Sequence, residues 1–234
     1  MRLALFSFLA TVLSALPLVQ AASQSAPEQS APAPVLGQEL VTPAKEEMLS
    51  APTPFAYPAG ALGAHPTFQV SPATPAKLGD TLVVFEHSLL LDVALIAKAP
   101  VHNDEEGGGP RQWICVQAMH EKEPVRLWFI SSSAGRVTEA QMEAGSFGAR
   151  QQFCGNLPSY FSPVSLSMIS IGDYVGNVEH NIGPASLKDD GWSYWVSRRN
   201  YDFDGKKLTE YVWVGARTGE KGRIDRVFSS QFTQ

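Results

Sequence analysis

Residues 194–213 read YWVSRRNYDFDGKKLTEYVW, which is two runs of alternating aromatic, aliphatic and charged residues around Asp204-Gly205. Asp-Gly is a preferred pair for a two-residue type I′ turn, because both central residues of that turn adopt positive φ. With these two residues as the turn, opposite charges face each other across the strands. The pattern therefore predicts an antiparallel β-hairpin with the cross-strand pairs Val196–Trp213, Arg199–Glu210, Tyr201–Leu208 and Asp202–Lys207.

The same register divides the aromatic residues of the hairpin between two faces. Tyr194, Tyr211 and Trp213 share one face, whereas Trp195 and Tyr201 lie on the other. One face has to pack on the core, and the other, if exposed, is a flat aromatic surface that stacks on sugar rings or anchors a protein. A hairpin packed on both faces is the alternative. The candidate binding residues are Trp192, Tyr194, Trp195, Tyr211, Trp213, Arg198 and Arg199.

Further β-favouring runs lie upstream of this hairpin. Residues 112–119 and 125–131 are separated by the turn-like segment 121–124, which is typical of a second hairpin. The apolar run 92–99 precedes them across a Gly-rich loop, and we interpret it as a third strand of a meander. Residues 164–175 are also strand-like.

Helical patterns are short. The sequence Thr138-Glu139-Ala140-Gln141 is a capping-box pattern, which predicts a short helix that ends at Gly145. Residues 81–91 combine helical spacing of apolar residues with a β-favouring Val-Val-Phe run, so helix and strand both remain open. The predicted fold class is mainly β, a β-rich α+β chain. Its antiparallel meander and hairpins form a small barrel or sandwich with one or two short helices.

The N-terminus has the order of a secretory signal peptide. Arg2 precedes an apolar run over residues 3–16, and small residues end the stretch at Ala21. Retention as a membrane anchor is the alternative, although the apolar stretch is shorter than the roughly 20 residues that cross a bilayer. We predict a signal peptide over residues 1–21. No Asn-x-Ser/Thr acceptor follows it, which favours a bacterial periplasmic or extracellular location.

Ten of the 17 prolines lie in residues 22–75. Each proline lacks a backbone donor and keeps the preceding residue out of the helical region, so the segment is predicted to be a disordered Pro/Ala-rich linker. All five Trp and both Cys lie in residues 76–234, which we predict to be one β-rich globular domain.

Cys115 and Cys154 are the two cysteines of an exported chain, so we predict a disulfide between them. The alternative makes Cys154 the nucleophile of a secreted hydrolase with His180 as its base. That arrangement requires a free thiol.

Metal and catalytic motifs are incomplete. The segment from Asn200 resembles the start of an EF-hand loop, but Tyr211 stands where the loop requires a bidentate acid. His120-Glu121 begins like a zincin motif, but the second His is missing and Pro124 follows. We therefore predict no catalytic residue, no metal site and no cofactor. The net charge of −5 argues against nucleic acid as a partner.

These observations lead to one functional hypothesis and two alternatives. We expect an exported bacterial envelope protein that binds another protein without catalysis, as an inhibitor or an assembly component. The first alternative is a glycan-binding module that uses the C-terminal aromatic residues. The second is a secreted hydrolase. The expected partner is an envelope protein or a glycan.

Overall fold

The computed structural model describes residues 52–58, 76–103, 111–132, 135–145 and 153–234, all within the unit Glu47–Gln234. The predicted signal peptide, residues 1–21, lies outside the described residues. So does the predicted linker, residues 22–75, apart from residues 52–58.

The described chain consists mostly of strands. There are two α-helices, α1 (Leu90–Ala97) and α2 (Val175–Ile182), and a 3-10 helix at Ser159–Phe161. The strands, in chain order, are β1 (Ala76–Leu78), β2 (Thr81–Val83), β3 (Val101–Asn103), β4 (Gln112–His120), β5 (Glu123–Ser131), β6 (Glu139–Ala144), β7 (Gly155–Asn156), β8 (Val164–Ser165), β9 (Leu187–Asp189), β10 (Trp192–Phe203), β11 (Lys206–Thr218) and β12 (Ile224–Thr233).

The described strands form two sheets. The larger sheet has the order β3-β4-β5-β6-β12-β11-β10-β9 with antiparallel neighbours, and β7 pairs in parallel with β4. The smaller sheet has the order β2-β1-β8. This mainly β, antiparallel architecture with two short helices confirms the predicted fold class.

The C-terminal hairpin forms as predicted between β10 and β11. Asp204 has a φ of 50° and Gly205 a φ of 74°, as a type I′ turn requires. The observed register contains the four predicted pairs, Val196–Trp213, Arg199–Glu210, Tyr201–Leu208 and Asp202–Lys207. The prediction was correct because the turn and the charge pairing specify the same register.

The helix predicted over residues 138–145 is wrong, since Glu139–Ala144 is strand β6. Ala140 and Met142 are fully buried on one face of the sheet, whereas Gln141 points to the other, which is the period of a strand. Strand β6 is also paired on both sides, with β5 and β12. Tertiary pairing overrides the local capping-box pattern here.

The strand predicted over residues 92–99 is also wrong, because these residues belong to helix α1 and its C-terminal cap. Leu90, Val93, Ala94 and Ala97 recur at helical spacing and are buried. Strand β3 takes the place of the expected first meander strand, beside β4. The ambiguous stretch 81–91 contains β2 and the start of α1, and the strand-like stretch 164–175 forms a strand only at β8.

The main apolar core joins one face of the larger sheet to the smaller sheet and both helices. Alternate residues of the central strands supply the sheet side of this core, so the intervening residues point to the opposite face. Its members include Ile114, Leu127, Phe129, Met142, Trp195, Val214 and Val227 from the larger sheet, and Leu78, Leu90, Val164 and Val178 from the other elements.

Candidate functional site

The face of the larger sheet opposite the main core is aromatic. We call it the aromatic face and define it by Trp113 of β4, Trp128 of β5, Trp192 and Tyr194 of β10, and Phe228 of β12. Each of these side chains is less than a tenth exposed. The sheet is therefore apolar on both faces, and something has to cover the second one.

The disulfide between Cys115 and Cys154 lies at one end of the aromatic face, where it packs with Trp113, Trp128 and Ile130. It confirms the predicted pairing. Because it consumes both thiols, it contradicts the alternative in which Cys154 is a nucleophile.

Residues 52–58 cover the aromatic face. The ring of Phe55 lies 5.9 Å from the Trp128 ring and 6.0 Å from the Trp192 ring, and the Arg226 guanidinium is 5.3 Å from its centroid. The ring of Tyr57 stacks on Phe228 at 3.8 Å with planes 10° apart. Phe55 and Tyr57 are two positions apart, and side chains with this spacing on an extended chain project to the same side. Both rings therefore reach the aromatic face.

Hydrogen bonds hold the main chain of this segment as well. The carbonyl oxygen of Pro52 accepts from Trp113 Nε1 at 3.3 Å and from Trp128 Nε1 at 3.1 Å. The carbonyl oxygen of Phe55 accepts from Gln141 Nε2 at 3.1 Å. The linker prediction therefore does not hold for residues 52–58, because Phe55 and Tyr57 gain burial that proline-rich composition alone does not indicate.

The carboxyl of Glu139 contacts the segment through Tyr57. It accepts hydrogen bonds from Tyr57 and, at 2.6 Å, from Gln141 Nε2. Burial raises the pKa of the Glu139 carboxyl, and the hydrogen bonds and the charge of Arg111 offset only part of that effect. Burial, reinforced by the negative charge of Glu139, also raises the pKa of the Tyr57 hydroxyl.

Two polar atoms of this region are buried without a hydrogen-bond partner among the described residues, Gln141 Oε1 and the hydroxyl of Tyr194. Gln141 and Tyr194 are 0% and 1% exposed. Burial raises the pKa of Tyr194 to about 12, with a contribution from the charges of Asp189 and Asp190. The segment therefore supplies no hydrogen-bond partner for either of these two buried polar atoms.

The predicted binding residues fall into separate places. Trp192 and Tyr194 lie on the aromatic face, under the segment. Trp195 lies in the main core, where its Nε1 donates to the Gly183 carbonyl at 2.9 Å, so it belongs to no binding surface. Arg199 forms an ion pair with the buried Glu210 at 3.0 Å.

Tyr211 and Trp213 form a half-buried pair on the same side of the sheet as the aromatic face. Their rings stack at 5.6 Å with planes 9° apart. The guanidinium of Arg198 lies 5.7 Å from the centroid of the Tyr211 ring. This pair is the part of the predicted aromatic surface that stays accessible.

Four residues of this site were not predicted from the sequence: Trp113, Trp128, Phe228 and Gln141. A signal was present: residues 113–116 and 127–131 are nearly continuous apolar runs, which indicates strands buried on both faces. Phe55 and Tyr57, the aromatic residues of the covering segment, were a second signal.

A separate apolar surface lies on helix α1. Leu91, Leu95 and Ile96 are 65%, 77% and 50% exposed, and Leu82 of β2 is 54% exposed. Leu82 and Ile96 line one small cavity with buried residues of the core. Patches of exposed apolar side chains are typical of surfaces that contact other proteins.

Within the described ranges, no group of three or more His, Cys, Asp or Glu residues is arranged to hold a metal ion. Neither of the two described α-helices is long and apolar enough to cross a membrane. No protein-family model, curated protein or solved structure matches the chain.

Proposed function

We propose that this chain is an exported bacterial envelope protein that binds another protein without catalysis, as an inhibitor or an assembly component, through its aromatic face. One observation carries the proposal. The aromatic face already holds an extended seven-residue segment by ring contacts and by side-chain hydrogen bonds to main-chain carbonyls. A surface built this way recognises extended polypeptide.

The chemistry of the face supports this function. The strands beneath it use their backbone groups in the sheet ladder, so the groups that reach outward are side chains. Buried aromatic residues with a few directed donors are typical of the centres of protein-binding surfaces. The disulfide and the signal-peptide pattern support an exported location.

Affinity capture from an envelope extract tests the proposal. The bait is the full chain with Phe55→Ser and Tyr57→Ser, which removes both rings that cover the face. The matched control is Thr53→Ser, which changes an exposed residue of the same segment. We expect a stoichiometric protein partner on the first bait and less of it on the control. Recovery of no such partner, together with turnover of a cell-wall substrate, would overturn the proposal.

The half-buried pair Tyr211 and Trp213 favours glycan binding as a second candidate. Two stacked rings beside the Arg198 guanidinium present a flat, partly polar platform for a sugar ring. Retention of the chain on insoluble peptidoglycan should then be lost in Trp213→Ala and kept in Phe55→Ser. The opposite pattern would remove this candidate.

A further inference from the structure

In the described hydrogen bonds between this side of the larger sheet and the main chain of the segment, the sheet side chains are always the donors. Trp113 Nε1, Trp128 Nε1 and Gln141 Nε2 all donate, and carbonyl oxygens of the segment accept. No main-chain N–H of residues 53–57 donates a hydrogen bond to a described residue. These described hydrogen bonds therefore use the carbonyls of the segment, whereas its amides gain no acceptor.

Proline suits such a surface, because it lacks the N–H that would otherwise lose its water without gaining an acceptor. Residues 52, 54 and 58 of the segment are prolines. Proline also holds the chain extended before binding, so less conformational entropy is lost. Aromatic grooves that donate to the carbonyls of proline-rich peptides use the same physics.

The segment also defines two aromatic subsites. One surrounds Phe55 with Trp128, Trp192 and the Arg226 guanidinium. The other is the ring of Phe228, on which Tyr57 stacks. A ligand of this face therefore carries two aromatic residues two positions apart on an extended chain, with prolines on either side of them.

The fit of the segment leaves room for a better ligand. The hydroxyl of Tyr194 and Gln141 Oε1, on the side of the sheet that the segment covers, are buried without partners among the described residues. A ligand that presents an acceptor to the first atom and a donor to the second would gain two hydrogen bonds that the segment does not make. The face has the capacity to bind a ligand more tightly than it binds its own segment.

We propose that the partner bound by the aromatic face is a proline-flanked, aromatic extended segment of another protein, and that residues 52–58 are a tethered competitor that it displaces. This inference rests on the proposed function, since it names the ligand of the same face. Seventeen residues connect Pro58 to Ala76. A connection of that length gives the tethered segment an effective concentration in the millimolar range, about enough to exclude weak ligands. Only a segment that matches the face better displaces it.

Titration with synthetic peptides tests the inference. The probe is the peptide of residues 50–60, and its matched control replaces Pro52, Pro54 and Pro58 by Ala. The protein is the full chain carrying Phe55→Ser and Tyr57→Ser, compared with the wild-type chain. Calorimetry should show that the proline peptide binds the double variant at least about tenfold more tightly than the alanine peptide does. It should bind the wild-type chain at least about tenfold more weakly than the double variant.

Each other outcome is informative. Equal affinity for the proline and alanine peptides overturns the proline requirement and leaves the proposed function standing. Equal affinity of the wild-type and double-variant chains overturns the role of residues 52–58 as a competitor. A wild-type dimer that the peptide dissociates makes a second copy the occupant, which also overturns the inference. Failure of both peptides to bind the double variant overturns this inference, whereas the proposed function is decided separately by the affinity capture. If the double variant does not fold, the two single variants are titrated under the same criteria.

Discussion

Tyr57 stacks on Phe228, with ring centroids 3.8 Å apart and planes 10° apart. It thereby joins a residue from a proline-rich stretch to the centre of the larger sheet. The Tyr57 hydroxyl also forms a hydrogen bond with Glu139. Substitution of Tyr57 separates the ring contact with Phe228 from the hydrogen bond with Glu139. Phe at this position keeps the ring and loses the hydrogen bond, whereas Ala loses both.

Tyr57→Ala should lower the free energy of unfolding by about 2–4 kcal/mol, since it removes a packed aromatic ring and uncovers Phe228. Tyr57→Phe should cost about 0.5–1.5 kcal/mol, which is the range for one lost hydrogen bond. Urea unfolding of the full chain measures both. Equal costs for the two variants would mean that the stacked ring contributes nothing.

Gly215 of β11 determines where the Phe228 ring can lie. A Cβ built on Gly215 would collide with the ring edge of Phe228, and Gly215 itself is in an ordinary strand conformation. Gly215→Ala should therefore displace this ring and the Tyr57 ring stacked on it, at a cost of about 1–3 kcal/mol. We also expect faster proteolytic cleavage within residues 52–58.

The matched control for this substitution is Gly176→Ala in helix α2. A Cβ built on Gly176 meets nothing within 4 Å. Because Ala favours a helix over Gly by about 0.5–1 kcal/mol, this variant should be slightly more stable than wild type. If cleavage within residues 52–58 is equally slow in both variants, Phe228 does not hold the segment.

Glu139 should make stability depend on pH. Burial raises its pKa above the ordinary value of 4.5, so the folded state binds the proton more tightly than the unfolded state does. The resulting stabilisation is fully present below the unfolded pKa and is lost as the pH rises through the folded pKa. The Tyr57 hydroxyl and the Gln141 amide are neutral over this range, so neither adds a pH dependence of its own.

Comparison of wild type with Glu139→Gln isolates this effect. The wild-type chain should lose stability relative to the variant as the pH rises above 4.5, the ordinary value of the carboxyl, in denaturant unfolding at each pH. Glu121→Gln, on the exposed turn between β4 and β5, is the control and should track the wild type. A difference between wild type and Glu139→Gln that is constant with pH would contradict the prediction.

The sequence predicts those features that local chemistry and alternation specify together. Asp204-Gly205 and the charge pair Arg199–Glu210 point to one register, and the structure contains it. Residues 138–145 show the opposite case. Their capping-box pattern is local, whereas their strand conformation depends on β5 and β12, which are distant in sequence.

The aromatic face is predictable only in part. Sequence alternation separates Trp195 from Tyr194, but it does not show which of the two faces is covered by residues 52–58. That cover is formed by residues about 60 to 170 positions away from their partners, as Pro52 with Trp113 and Tyr57 with Phe228 show. Only the order of the strands brings such distant residues together.

The disulfide should contribute a large share of stability. Cys115 and Cys154 are 39 residues apart in sequence, and a cross-link that closes a loop of this size stabilises by about 3–4 kcal/mol on the chain-entropy model. The double variant Cys115→Ala/Cys154→Ala should lose about this amount in urea unfolding. A reductant should lower the unfolding midpoint of the wild type and leave that of the double variant unchanged. Equal midpoints for the oxidised wild type and the double variant would show that the cross-link is dispensable.

The turn of the C-terminal hairpin offers the sharpest comparison of two neighbouring substitutions. Gly205 has a φ of +74°, and a Cβ built on it meets nothing within 4 Å, so any cost of a side chain there comes from backbone strain alone. Gly205→Val should cost about 1–3 kcal/mol, because a β-branched residue is strained at positive φ. Gly205→Asn, the control, should cost much less, since Asn tolerates this region.

Asp202→Lys tests the cross-strand charge pair instead. It places a like charge opposite Lys207 at an exposed position, so it should cost only about 0.2–0.5 kcal/mol. Thermal unfolding ranks the three variants. If Asp202→Lys lowers the unfolding temperature as much as Gly205→Val does, the register of this hairpin is determined by the cross-strand charges and not by the turn. That register is what places Tyr211 and Trp213 on the same side of the sheet as the aromatic face.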